Sequence, residues 1–420
     1  MSFADLLGTV AGTGARVAPA PESTVPGGRP PEWVVEPTSP AQLAAVAGAL
    51  NDGGVPWRVD ALGRNWGYDD SRVREPGVIV RLARLDRLDV DADLGLATVQ
   101  PGVTFAQLND ALRDAGGRFH LPEPGSGPHT SVLGNALDRG LLSGLGERER
   151  HCRDFLVMAR DGALTRLGWT GAEDERTRRA LPYPPGPHRH GSLFQTSGYG
   201  PIVVEMTHVL PAVPAHWLAL AVLSGPDPGE ALVRYWRELH FADLVTTSSL
   251  ASPARRRAQR IAIAHDGLVL NLLVTGGSAA VLRAKAADVQ RLAREHGQRL
   301  AVRASAHPDD LGVLGGDRER PEAVPRLADG LEWHTAALPF APPVIAAFAE
   351  SVRAEEVLAE APWTLRPLDA RAVVWLSSFV YRKDDPAGVE LLRRRAAAFE
   401  RIRGEFGVPA YRSGGVRAAR

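Results

Sequence analysis

Residues 63–68 read Gly63-Arg64-Asn65-Trp66-Gly67-Tyr68 and follow a strand signal that runs from Val55 to Val59. Two glycines bracketing polar groups at the end of a strand let backbone N–H groups converge on an anion, and Arg64 and Asn65 can add donors. Taken alone, the stretch reads first as a structural turn. Two later stretches change its weight. Gly134-Asn135-Ala136-Leu137-Asp138-Arg139-Gly140 follows a Gly/Pro/Ser-rich segment, 122–131, that lacks hydrophobic periodicity over a length unusual for a connection. Ser197-Gly198-Tyr199-Gly200 precedes a strand signal from Ile202 to Met206. Three glycine-bearing loops beside strands point to one extended ligand. None matches the dinucleotide or phosphate-loop fingerprints. Leu268 to Val274 followed by Thr275-Gly276-Gly277-Ser278 has the right order but too few glycines, and reads as a β–α turn.

Outward from these loops, Trp33-Val34-Val35 predicts a short strand. Ser39 predicts an N-cap with Pro40 at the first helical position, and the helix runs to about Asn51 before Asp52-Gly53-Gly54. A strand is expected at Val78–Leu82, then Leu88-Asp89-Val90 and 97–104, with Thr104 capping a helix through Leu112. Phe155–Ala159 and Leu164–Gly168 predict a hairpin around Asp161-Gly162. Residues 16–31, rich in Pro, Gly and Ala, predict an extended lead-in. From Pro214 to Val374 the signal is thin. Helical periodicity appears at Gly229–Leu239, Ala279–Glu295 and Pro343–Leu358, and strand-like runs at Arg260–Ala264 and Leu268–Val274. That mixture predicts helices over an antiparallel sheet.

Composition narrows the class. The chain has 420 residues, too many for one ordinary core, so two or three packed units are expected. Its 49 basic residues balance 49 acidic ones, which removes the electrostatic case for nucleic acid or an anionic membrane as partner. All the basic residues except Lys285 and Lys383 are arginine. One cysteine, Cys152, excludes a disulfide framework and a multi-cysteine metal cluster. His188 and His190 have no evident third ligand, so no metal is expected. No run reaches the length of a membrane span, and residues 1–24 lack the basic start of a secretory signal. A cytoplasmic protein is the expectation.

Gly63–Tyr68, Gln100-Pro101-Gly102-Val103-Thr104, Ser131-Val132-Leu133-Gly134-Asn135-Ala136 with Asp138-Arg139-Gly140, and Leu193-Phe194-Gln195-Thr196-Ser197-Gly198-Tyr199-Gly200 occur in one order and spacing. Together they resemble the FAD-binding domain of the p-cresol methylhydroxylase/vanillyl-alcohol oxidase family. The resemblance returns at Phe379–Asp385 and Phe406–Arg412. It implies an α+β fold: a lead-in at 1–29, a two-subdomain FAD-binding domain at 30–213, and a cap domain at 214–420 with an antiparallel sheet and helices. By the same resemblance Gly63, Arg64, Asn65, Trp66 and Gly67 cradle the pyrophosphate. Ser131, Gly134, Asn135, Arg139 and Gly140 line the flavin and ribityl side, and the backbone of Ile202 and Val203 meets the pyrimidine ring.

The function implied is oxidation of a small phenolic or aromatic substrate, with hydride leaving a benzylic or carbinol carbon for FAD and dioxygen or another acceptor reoxidising it. Holding the substrate as phenolate near neutral pH requires lowering a pKa of about 10 to about 7, or about 4 kcal/mol. A guanidinium and tyrosine hydroxyls aimed at the oxygen supply that. The residues matching the family's clamp are Tyr411, Arg412 and Tyr68. Glu123, after Pro122, matches the acid/base carboxylate, and Glu147 a second acidic position. Structural readings stay open: Tyr68 as a packing aromatic, Tyr411-Arg412 as a strand residue and a solvated charge, Glu123 as a loop carboxylate, and Glu147–His151 as an exposed charge run.

Some family members tether FAD through a cap histidine or tyrosine. His334 lies in that region but about three positions off register, on the opposite side of a period-two strand. Non-covalent FAD is the expectation, with a link through His334 as the alternative. Members also commonly dimerise, so a homodimer is the assembly the resemblance allows. Three departures stand out. Asp69-Asp70 replaces two glycines, Leu141-Leu142-Ser143 replaces a second phenolate tyrosine, and the sequence stops at Arg420 where the family continues with a helical segment and a glycine-rich return to the flavin. An opened site wall is then expected, and two other readings remain: oxidative cyclisation or desaturation of a biosynthetic intermediate, or an FAD fold without turnover.

Overall fold

The computed structural model describes residues 3–20, 31–63, 77–142, 146–169, 171–182, 190–196, 198–258, 265–302, 330–382 and 384–412. The chain divides into two compact units: the residues up to Gly140 with Glu147–Val213, and Leu141–Gly146 with Pro214–Arg412.

In the first unit, Ser39 caps the helix Pro40–Asp52 by accepting from the Gln42 amide at 3.1 Å. The helix buries Leu43, Val46, Ala47 and Leu50. It connects Trp33–Glu36 to Trp57–Asp60, and both strands run parallel to Val78–Arg81, which lies between them. The lead-in carries structure of its own. A helix, Phe3–Gly12, and a strand, Arg16–Pro19, precede the glycine- and proline-rich stretch, and the strand joins the sheet antiparallel to Trp33–Glu36.

A second sheet in this unit is antiparallel throughout, in the order Leu164–Leu167, Cys152–Met158, Ile202–Val209, Leu96–Val99, Leu88–Asp91. Thr104 and Gln107 form a full capping box on the helix Phe105–Asp114, so both orphan donors at its start are satisfied. That helix presents Asn109 inward, where its amide donates to the Leu121 carbonyl at 3.0 Å and accepts from the Leu121 N–H at 3.1 Å. A buried amide satisfied in this way fixes the chain just before Pro122.

The second unit is a seven-stranded antiparallel sheet in the order Leu300–Val302, His216–Leu223, Val269–Gly276, Thr247–Ala251, Trp363–Pro367, Ala372–Tyr381, Gly330–Pro339. Helices Glu230–Phe241, Ala279–Glu295, Pro342–Ala354 and Pro386–Glu405 cover one face. The core there includes Trp236, Leu250, Leu272, Leu365, Trp375 and Phe379. Helical periodicity located Ala279–Glu295 to the residue. The helix expected to reach Leu358 ends at Ala354, and the strand signal at 260–264 lies outside the described residues. Among the described residues, no helix is long and apolar enough to cross a membrane and no group of His, Cys, Asp and Glu could hold a metal ion.

Candidate active site

In the first unit the second and third glycine loops meet at the strand end that leads to Gly63. The Val59 N–H, at the end of the strand that feeds Gly63, donates to the Gly198 carbonyl at 3.0 Å. The Gln195 N–H donates to the Leu137 carbonyl at 2.9 Å, tying the third loop to the second. A Cβ placed on Gly134 would stand 3.1 Å from the Ala61 side chain, so the second loop also touches the approach to the first. Arg160, which the sequence did not single out, reinforces the junction. Its guanidinium lies 3.9 Å above the Trp57 ring and donates to the Gly198 carbonyl at 2.6 Å.

The second loop begins with a six-residue helix, Val132–Leu137, which its glycine-bearing sequence does not announce. Ser131 is its N-cap. The hydroxyl accepts from the Gly134 N–H at 2.9 Å and donates to the Pro101 carbonyl at 2.6 Å, so its one proton is committed. Asn135 Oδ1 is buried and has no hydrogen-bond partner. Arg139 sits at φ 55°, in the left-handed region, and its guanidinium pairs with Glu147. Glu147 is 5% exposed and the next residue, Arg148, is fully buried, which corrects the reading of 147–151 as an exposed charge run. The spacing gave no sign of this because burial here comes from tertiary partners. Arg148 lies over the Phe105 ring at 4.7 Å, donates to the Pro122 carbonyl at 2.5 Å, and its own N–H reaches the Gly140 carbonyl at 2.9 Å. Pro122 is therefore held from both sides, by Asn109 through Leu121 and by Arg148, and Glu123 follows it half-buried.

Ile202 and Val203 start the buried strand Ile202–Val209. Its ladder to Leu96–Val99 begins only at Met206, so 202–205 pair with the neighbouring strand Cys152–Met158 alone. Gly63 is described, at φ 65°. Arg64, Asn65, Trp66, Gly67 and Tyr68 lie outside the described residues.

In the second unit, Tyr411 is 3% exposed. The Tyr411 and Arg412 N–H groups both donate to Thr335 Oγ1, at 3.1 and 3.3 Å, and the Pro409 carbonyl accepts from the Ala337 N–H at 2.9 Å. The segment thus runs along the outer edge of the sheet beside Gly330–Pro339. His334 points to the helix-covered side. Its ring stacks on Phe379 at 4.9 Å, with Glu332 at 3.3 Å and Glu400 at 3.9 Å. The His334 hydrogen bond, with Arg403 assisting, pulls the Glu400 carboxyl down to about 2.

Residues 31–168 match the family model of an FAD binding domain. A 1'-carboxy-chondrochloren decarboxylase from Chondromyces crocatus is 35% identical over 186 residues, 44% of this chain and 34% of that protein. The flavoprotein subunit of 4-cresol dehydrogenase (hydroxylating) from Pseudomonas putida is 28% identical over 177 residues, 40% of this chain and 33% of that one. The chain thus spans about a third of the length of these curated relatives. Among solved structures, p-cresol methylhydroxylase with substrate bound superposes with a TM-score of 0.83 at 18% identity, over 94% of this chain and 83% of that one. The isoeugenol complex of 4-ethylphenol oxidase from Gulosibacter chungangensis gives 0.84 at 17%, over 99% and 89%. At such identities the likeness is one of fold.

Proposed function

We propose that this chain, which carries an FAD-binding domain and has the fold of the p-cresol methylhydroxylase/vanillyl-alcohol oxidase-type flavoproteins, is an FAD-dependent oxidoreductase acting on a small phenolic or aromatic substrate. The convergence of the second and third glycine loops on the strand end before Gly63 carries the reading, because an extended dinucleotide is a ligand that spans such a junction. The residues fit FAD. Asn135 Oδ1 is a buried acceptor awaiting a donor, and 202–205 are buried backbone with one side of the ladder open. Gly63, Gly134, Asn135, Arg139 and Gly140 would hold the cofactor along its length, with Arg139 oriented by Glu147. Ser131 contributes by capping the helix beneath it. Bound FAD would supply the hydride acceptor.

In this reading Arg412, with Tyr411, binds the substrate oxygen and favours its phenolate form, while Glu123, on a segment fixed by Asn109 and Arg148, moves the proton. The placement of His334 among Phe379, Glu332 and Glu400 supports FAD held without a covalent bond. The spectrum of the purified protein from 300 to 550 nm, before and after acid precipitation, tests the cofactor: flavin colour should pass to the supernatant. Arg412→Ala should slow flavin reduction by 4-alkylphenols roughly 10²- to 10³-fold. Reduction of a benzylic alcohol without a phenol should change little. Equal slowing of both, or of neither, would remove the phenolate clamp. Oxidation coupled to loss of a carboxylate is a second reading, supported by the relative named a decarboxylase.

A further inference from the structure

Side chains alternate across the seven-stranded sheet, so the residues between its core positions stand on the face turned away from the helices. Ser249, Asn271, Thr364, Arg366, Ser378 and Trp333 alternate with core or helix-facing residues such as Leu250, Leu272, Leu365, Phe379 and His334. Arg255, from the short helix Pro253–Ala258, joins this face. Its Nη1 donates to Ser378 Oγ at 2.9 Å, and its guanidinium lies 5.3 Å from the centre of the Trp333 ring. Its Nε is buried and has no hydrogen-bond partner. Arg366 lines a small pocket with Thr247, Ser249 and Asn271. Burial first, and then the Arg366 charge, pull the Arg255 pKa down to about 10, so the two guanidiniums feel each other.

Several sheltered arginines of this chain pair with carboxylates, while the buried Arg148 and Arg256 donate to backbone carbonyls instead. Arg81 pairs with Asp60 at 3.0 Å, Arg166 with both Asp154 and Glu205 at 3.0 Å, and Arg178 with Asp154 at 2.9 Å. Arg255 has no carboxylate within ion-pair distance among the described residues; its contacts are a hydroxyl and a ring. A desolvated guanidinium next to a like charge is costly unless an anion offsets it. The planar fork of arginine suits a carboxylate, which takes two parallel N–H···O bonds.

We infer that Arg255 and Arg366 form an oxyanion site on the face of this sheet turned away from its four long helices, and that it binds a carboxylate carried by the substrate. The inference deepens the proposed function and rests on it, since that reading makes the sheet part of a substrate domain. It places a second charge-reading group on the substrate, distinct from the Tyr411-Arg412 pair.

Calorimetric titration of the purified full chain with benzoate, with its neutral isostere benzamide, and with inorganic phosphate tests it without turnover. Benzoate should bind at least tenfold more tightly than benzamide and more tightly than phosphate. Arg255→Gln and Arg366→Gln should each weaken benzoate at least tenfold and leave benzamide unchanged. Equal binding of benzoate and benzamide by the wild type, which no folding defect can mimic, would overturn the site. So would variants that keep full benzoate affinity, and tighter binding of phosphate would overturn the carboxylate assignment. Flavin absorbance on the same samples separates the two claims. Yellow protein that ignores benzoate loses the oxyanion site alone, whereas colourless protein that binds it keeps the site and loses the flavoenzyme reading.

Discussion

Gly198→Ala should yield protein that is destabilised by about 3 kcal/mol and retains little flavin. Gly198 adopts φ 75°, a left-handed conformation that costs an alanine about 1 kcal/mol before any contact is made. The added methyl would also stand 2.1 Å from the Val59 carbonyl oxygen, which is backbone within the strand Trp57–Asp60 and has no rotamer to retreat into. The Gly198 carbonyl is the acceptor for both the Val59 N–H and Arg160, so displacing it unties the third loop from the first. Flavin-to-protein absorbance ratio and thermal midpoint are the readouts. Gly191→Ala, where nothing lies within 4 Å of the new methyl, is the control and should be silent in both. A Gly198→Ala protein with full flavin and an unchanged midpoint would show that the loops are not held together at this bond.

Acidification from pH 7 to pH 5 should remove about 3 to 4 kcal/mol of stability through two histidines. His208 is fully buried with its Nδ1 at 2.7 Å from the Val209 carbonyl, and burial, followed by the Arg148 charge, lowers its pKa to about 3. His240, at 2.7 Å from the Ser248 hydroxyl, is lowered to about 4 by burial. Unfolded, both titrate near 6.5. Between those limits the unfolded chain binds the extra protons, so stability is whole above about pH 6.5 and falls as the pH drops toward the folded values. Each histidine accounts for about 2 kcal/mol at pH 5. Urea midpoints at the two pH values measure the loss, and His208→Leu should shrink it by about half. A variant as acid-sensitive as the wild type would mean that His208 does not stay neutral.

The legible parts of the chain were those whose cause is local. The Ser39 cap, the Thr104 capping box and the apolar rhythm of Ala279–Glu295 sit within a few residues of what they determine. The order and spacing of the three glycine stretches carried the family resemblance. Their junction was not legible, because Val59 to Gly198 and Leu137 to Gln195 are pairings set by the fold. Arg148 shows the limit most clearly. Set in Glu147-Arg148-Glu149-Arg150-His151 it reads as a solvated charge, yet Phe105 and the Pro122 carbonyl draw it into the core. The second-unit strands Thr247–Ala251 and Trp363–Pro367 were missed for a related reason. Each has one face in the core and the other lined by Ser, Thr and Arg, so neither is apolar enough to stand out.

Two amides hang on the single hydroxyl oxygen of Thr335, those of Tyr411 and Arg412. An acceptor shared in this way gives each donor less than a full bond, so these two bonds together contribute only about 1–2 kcal/mol. The pair should therefore behave as one latch. In hydrogen exchange the two amides would open together and ahead of Ala337, whose bond to Pro409 is separate. Thr335→Val, alike in shape but lacking the acceptor, would leave the arm tethered at Pro409 and loose beyond it. If Arg412 holds the substrate oxygen as proposed, the lifetime of that latch would set how long a bound substrate stays in place.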